Sequence, residues 1–143
     1  TLNRTFFFFF LSMKKQKNIS NIEDIQLMVN SFYEKVRRDD LLGDIFNSII
    51  QDNWDTHLEK MYRFWQTVLL SEHTYYGSPF APHAKMPIEQ KHFERWKALF
   101  VDTVDEHFIG KKADEAKWRA EKMAEMFLMK IEYFNNGQTK PII

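Results

Sequence analysis

At 143 residues, with 20 basic and 20 acidic side chains, the chain fits one domain and offers no electrostatic reason to seek nucleic acid or a membrane surface. It has no cysteine, which excludes disulfides, thiolate zinc sites, iron–sulfur clusters and a cysteine nucleophile, and fits a reducing cytoplasm. Aromatics make up 16% of the residues, including 14 Phe and 4 Trp, against 4 Gly and 4 Pro, so the composition points to helices around a large-residue core.

The chain opens on an apolar run, Phe6 to Leu11, too short for the roughly 20 residues that a membrane helix needs. Met13 with Lys14, Lys15 and Lys17 reads like a natural start. Residues 1–18 are therefore expected to be a disordered or spurious N-terminal extension, an upstream stretch of the reading frame that is at most loosely docked, with a hydrophobic anchor as the alternative. Ser20 and Asn21, followed by Glu23 and Asp24, form a helix start. From there Ile22, Ile25, Val29, Phe32, Tyr33 and Val36 recur at helical spacing, and Arg37 and Arg38 suit the end. Leu41, Leu42, Ile45 and Phe46 form a short second piece around Gly43.

Asp52-Asn53 opens a third helix with a wide apolar stripe: Trp54, His57, Leu58, Met61, Phe64, Trp65, Val68 and Leu69. Ser71 to Pro87 contains Gly77 and three prolines, so it reads as a loop with at most a short helical turn. A fourth helix runs from Ile88 to about Phe108, and Gly110 stops it. The fifth spans Ala113 to Phe134 and ends at Asn135-Asn136-Gly137. There is no strand alternation and no repeat. The expectation is an all-α chain with one domain over residues 19–136 and a tail at 137–143.

Two histidines carry the functional reading. His57 sits on an apolar helix face, where a core role satisfied by one hydrogen bond is the commoner reading. His83 stands in a proline-rich loop; Pro82 gives it the rigid mount that a metal-binding imidazole needs. Taken alone, His83 reads more readily as an exposed loop residue. Together they suit a haem, because its iron has two faces: one imidazole can bind it and a second polar group can steer a gas on the other face. Tyr33 and Trp96 supply further donors, informative only where their helices meet at one cavity. Glu89-x-x-His92 is half of a di-iron motif with no second half, so a di-iron bundle is rejected. His73 and His107 read as surface residues.

A set of short motifs occurs in order: Phe32-Tyr33-Glu34-Lys35-Val36-Arg37, Leu42-Gly43-x-Ile45-Phe46-Asn47, Trp54-x-x-His57, Phe64-Trp65, Tyr76-Gly77-x-Pro79-x-x-x-His83 and Phe93-x-x-Trp96-x-x-Leu99-Phe100. From about Ile19 to Phe134 the chain thereby resembles the group III truncated haemoglobins. The resemblance implies a shortened globin fold packed around one b-type haem. It makes His83 the proximal iron ligand and places Tyr33, His57 and Trp96 at the distal polar positions. Phe46 matches the aromatic that packs on the haem, and Met61, Phe64 and Trp65 match pocket-lining positions. Met61 stands where a branched aliphatic is common. Lys60 and Lys85 are the nearby candidates for the haem propionates.

The implied function is binding of O₂ and other diatomic ligands, in oxygen or nitric oxide handling or redox chemistry rather than bulk transport. Partners would be O₂, NO, CO or peroxide, with a reductase to restore the iron. The enzyme alternative is a haem-dependent peroxidase or nitric oxide dioxygenase. A cofactor-free helical interaction module is the reading from another class.

Overall fold

Five α-helices and one short 3₁₀ turn make up the regular structure of residues 16–136, which are the residues that the computed structural model describes. The expected extension up to Lys15 and the tail 137–143 lie outside them. Helix α1 (Ile22–Arg38) starts where the Asn21 side chain accepts the Asp24 N–H at 3.0 Å. Acids in its first turn and Lys35, Arg37 and Arg38 in its last complement the helix dipole. Its inward stripe of Ile25, Met28, Val29, Phe32, Tyr33 and Val36 is the centre of the core.

Helix α2 (Gly43–Ile50) begins hard against α1, and a Cβ on Gly43 would stand 2.9 Å from the Arg37 carbonyl oxygen. The Asp39 carboxylate fixes this corner. It accepts from the Leu41 and Leu42 amides at 3.0 and 2.9 Å and pairs with Arg95 at 2.7 Å. The helix outruns the expected Leu41–Phe46 piece, because Ile49 and Ile50 repeat the spacing of Ile45 and Phe46 and all four line one cavity.

Helix α3 (Trp54–Leu70) follows, then a long loop whose only regular element is the 3₁₀ turn Ala81–His83. Helices α4 (Gln90–His107) and α5 (Lys111–Asn135) complete the chain. Helix α1 packs against α3 and α4, and α4 runs along α5. Small residues line the inner side of α5: Ala113, Ala116, Ala120 and Ala124 are buried there, ahead of Phe127 and Ile131. They let its backbone approach α4 closely.

Residues 16–18, placed with the extension from sequence, are tied to this body. Lys17 makes a parallel bridge with Phe108: its N–H donates to the His107 carbonyl at 3.1 Å and its carbonyl accepts the Ile109 N–H at 2.9 Å. Its ammonium pairs with buried Asp24 at 2.8 Å. Burial would raise the Asp24 pKa, but the bonds from Lys17 and Ser20 outweigh it and hold the carboxyl below its usual value. Gly110 (φ 105°) lets Asn18 in, since a Cβ there would meet Asn18 Oδ1 at 2.3 Å. Among the described residues no helix is long and apolar enough to cross a membrane.

Candidate functional site

Helices α1 to α5 and the loop after α3 enclose a mainly apolar cavity of about 700 Å³, in the range of small-molecule and cofactor sites. The eight haem-pocket residues named from the resemblance all line it: Tyr33 from α1, Phe46 from α2, and His57, Met61, Phe64 and Trp65 from α3. His83 enters from the loop and Trp96 from α4. Trp65 is mostly core; it is 4% exposed and stacks on Phe100 at 5.0 Å.

His83 ends the 3₁₀ turn, and its Nδ1 lies 2.8 Å from the Pro79 carbonyl oxygen. A carbonyl only accepts, so Nδ1 carries the proton and Nε2 keeps a free lone pair. This is the arrangement that prepares an imidazole for a metal. The ring packs on Phe127 at 4.9 Å. Burial lowers its pKa, opposed by the hydrogen bonding at Pro79 and Phe80, and a lowered pKa favours the neutral form that a metal requires.

The part of the lining that His57, Tyr33 and Trp96 supply is held by rings. His57 stands edge-on to Tyr33, with centroids 5.0 Å apart at 87°, and to Trp54 at 5.8 Å and 89°. Its Nε2 is buried and has no hydrogen-bond partner among the described residues. Burial pushes its pKa down to about 4, helped by charge on His83 and Lys60, so His57 is neutral near pH 7. Burial also raises the Tyr33 pKa, which keeps the phenol protonated as a donor. Trp96 is wedged by ring contacts, stacked on Phe100 at 5.7 Å and edge-on to Phe32 at 5.5 Å. Neither the Tyr33 hydroxyl nor the Trp96 indole N–H has a partner among the described residues.

No group of three His, Cys, Asp or Glu among the described residues is placed to hold a metal ion. One imidazole suffices where the metal arrives with its other donors, as it does in a porphyrin. The model of the bacterial-like globin family matches residues 17–130. The group 3 truncated haemoglobin of Campylobacter jejuni is 35% identical over 111 residues, which are 75% of this chain and 87% of that protein. The crystal structure of the group III truncated haemoglobin from that organism superposes with a TM-score of 0.75 at 32% identity, covering 81% of this chain and 94% of the other. The chain belongs to the group III truncated haemoglobins. The all-helical truncated globin fold is thereby established, and haem, iron and oxygen binding follow from globin membership.

In this truncated haemoglobin the rim of the cavity holds residues that sequence reasoning missed. Arg63 lines it beside Lys60, bound to Glu59 at 2.6 Å and to the Gln66 oxygen at 3.0 Å. Thr67 ties the loop to α3, because its hydroxyl accepts the Thr74 and Tyr75 amides at 3.0 and 2.9 Å. Thr74 in turn donates to Gln66 at 2.9 Å. Only the i,i+4 spacing of Glu59 and Arg63 was visible beforehand, and that spacing is common on any exposed helix. Lys85 is exposed and outside the lining, whereas Lys60 is part of it. His73 is exposed and stacked on Tyr76, as a surface residue would be. His107 differs from the surface reading: its side chain is only 18% exposed, at the end of α4, where its backbone carbonyl accepts the Lys17 N–H.

Proposed function

We propose that this truncated haemoglobin holds one b-type haem between His83 and the Tyr33–His57–Trp96 wall, and that it serves oxygen or nitric oxide handling or redox chemistry rather than bulk transport. The observation that carries the reading is the buried, unpartnered Nε2 of His57, in a cavity that His83, with its own free nitrogen, also lines. An unpaired buried polar atom costs about 1–3 kcal/mol, and a polar guest in the cavity removes that cost. A chain without cysteine has no thiol for covalent haem attachment, which supports the non-covalent b type.

When bound, the haem supplies an iron that takes up a diatomic gas. His83 Nε2 would hold that iron, while Phe46, Met61, Phe64 and Trp65 present flat or soft surfaces to the macrocycle. Tyr33 and Trp96 donate protons in hydrogen bonds to a partly negative ligand, and His57 either donates or screens the entrance. A hydrogen bond to a charged group contributes roughly 1.5–3 kcal/mol, which is roughly ten- to a hundredfold in ligand retention. Several such donors suit capture and reaction better than ready release. The same donors would polarise peroxide or hold O₂ for reaction with NO, and a separate reductase would restore the iron. CO is a further ligand of the same pocket. The lack of cysteine supports a cytoplasmic setting. The domain is taken as residues 19–136 with the tie at 16–18 added to it.

Reconstitution with haem tests the reading. The expected result is one Soret-absorbing haem per chain, lost from His83→Gly and restored to that variant by added imidazole. Protein that stays colourless with haem present would falsify it, and a cofactor-free helical module would then stand. Peroxide or nitric oxide turnover no faster than free haem removes the enzyme version alone.

A further inference from the structure

Glu89-x-x-His92, half a di-iron motif in the sequence, has a different use at the start of α4. The Glu89 N–H donates to His92 Nδ1 at 2.9 Å, and the His92 N–H returns to the Glu89 carbonyl at 3.0 Å. An imidazole nitrogen that accepts a hydrogen bond carries no proton. In the neutral ring the proton therefore sits on Nε2. His83 has the opposite tautomer, because its Nδ1 faces a carbonyl. His83 offers a lone pair to a metal, whereas His92 offers an N–H to an acceptor.

His92 is half-buried and lines the same cavity as His83 and His57. Nothing among the described residues accepts its Nε2–H. A porphyrin whose four nitrogens hold iron presents methyl, vinyl and propionate groups at its edge, and only the propionates are strong hydrogen-bond acceptors. The positive end of the α4 dipole favours the same anionic partner. Lys60 and Arg63 are the cations that line the cavity, but Arg63 is engaged by Glu59 and Gln66. We propose that His92 is a cofactor-binding residue, its Nε2–H donating to a haem propionate. This rests on the haem reading above.

The test compares two substitutions that both keep an acceptor for the Glu89 N–H, since Glu and Gln suit this third helical position. His92→Gln keeps a donor for the propionate; His92→Glu removes it and adds a negative charge. The rate of haem loss to an excess haem-scavenging apoprotein is followed through the Soret band. His92→Glu is expected to lose haem roughly ten- to a hundredfold faster than the parent, and His92→Gln within a few-fold of it. With iron protoporphyrin dimethyl ester the gap between parent and His92→Glu should shrink to about twofold, because the carboxylates are masked. Far-UV circular dichroism of the haem-free variants checks that the helices are intact. Equal loss of haem from parent and His92→Glu, or an undiminished gap with the ester, overturns the assignment. A parent protein that takes up no haem sinks the cofactor reading itself, which is a separate result.

Discussion

Two parts of the cavity lining are built on contrasting plans. In one, His83 is fixed by a backbone carbonyl at 2.8 Å in a proline-framed turn, so one nitrogen is committed and the other is free. In the other, Tyr33, His57 and Trp96 are held by aromatic packing, and their polar atoms are left without partners. On the haem reading proposed above, each plan suits a different task. A ligand to iron must have its ring aimed and its tautomer set beforehand. A group that recognises a passing gas must keep its donor unspent until the gas arrives.

The comparison breaks most sharply at His83. His83→Gly should abolish stable haem incorporation while the haem-free chain stays helical, as measured by Soret absorbance and circular dichroism; retention of a normally ligated haem would make the turn ordinary. Next in size is Tyr33→Phe, which removes a donor and almost no volume. Stopped-flow O₂ dissociation should accelerate roughly ten- to a hundredfold if the hydroxyl meets the ligand, and an unchanged rate would assign Tyr33 to packing. On the loop side, Thr67→Val leaves the Thr74 and Tyr75 amides without their acceptor. Urea unfolding should show a loss of about 1–3 kcal/mol at unchanged slope.

The most gradual effect is a pH dependence. The His57 pKa falls from 6.5 to about 4 in the folded chain, chiefly through burial, so the unfolded chain binds more protons between those values. The stability linked to neutral His57 is full above pH 6.5, drains as pH falls toward 4, and then levels off. His57→Leu in the haem-free protein should flatten this part of the profile, by at most about 1.4 kcal/mol per pH unit. His83 is shifted in the same direction and keeps the remainder. An identical acid limb in the variant would mean that His57 is solvated in the folded chain.

Much of this was legible in the sequence, for a physical reason. Buried helix faces repeat every three or four residues, so α1, α3 and α5 announced themselves through stripes such as Ile25, Val29, Phe32 and Val36. Eight residues singled out from sequence line one cavity, and ordered motifs carried that information better than any single residue type. The tie at residues 16–18 escaped because a lone bridge between Lys17 and Phe108 leaves no local pattern. His92 escaped for another reason. Its role is set by a backbone N–H three residues earlier, and Glu-x-x-His spacing fits a helix cap as well as half a metal site. Phe127 lies on the buried face of α5, yet its contact with His83 joins that helix to a loop, and no periodicity reports that.

The alanine seam of α5 limits how such a sequence can diverge. Ala124 lines the cavity three positions before Phe127, whose ring supports His83, and Ala116 and Ala120 continue the seam away from it. Close-packed interiors do not absorb an added methylene locally, so enlarging any of these methyl groups shifts the helix as a unit. That shift reaches the imidazole through Phe127. Neutral drift is therefore freer on the outer face of α5 than along this seam, and substitutions that never touch a gas molecule would still retune the site that binds it.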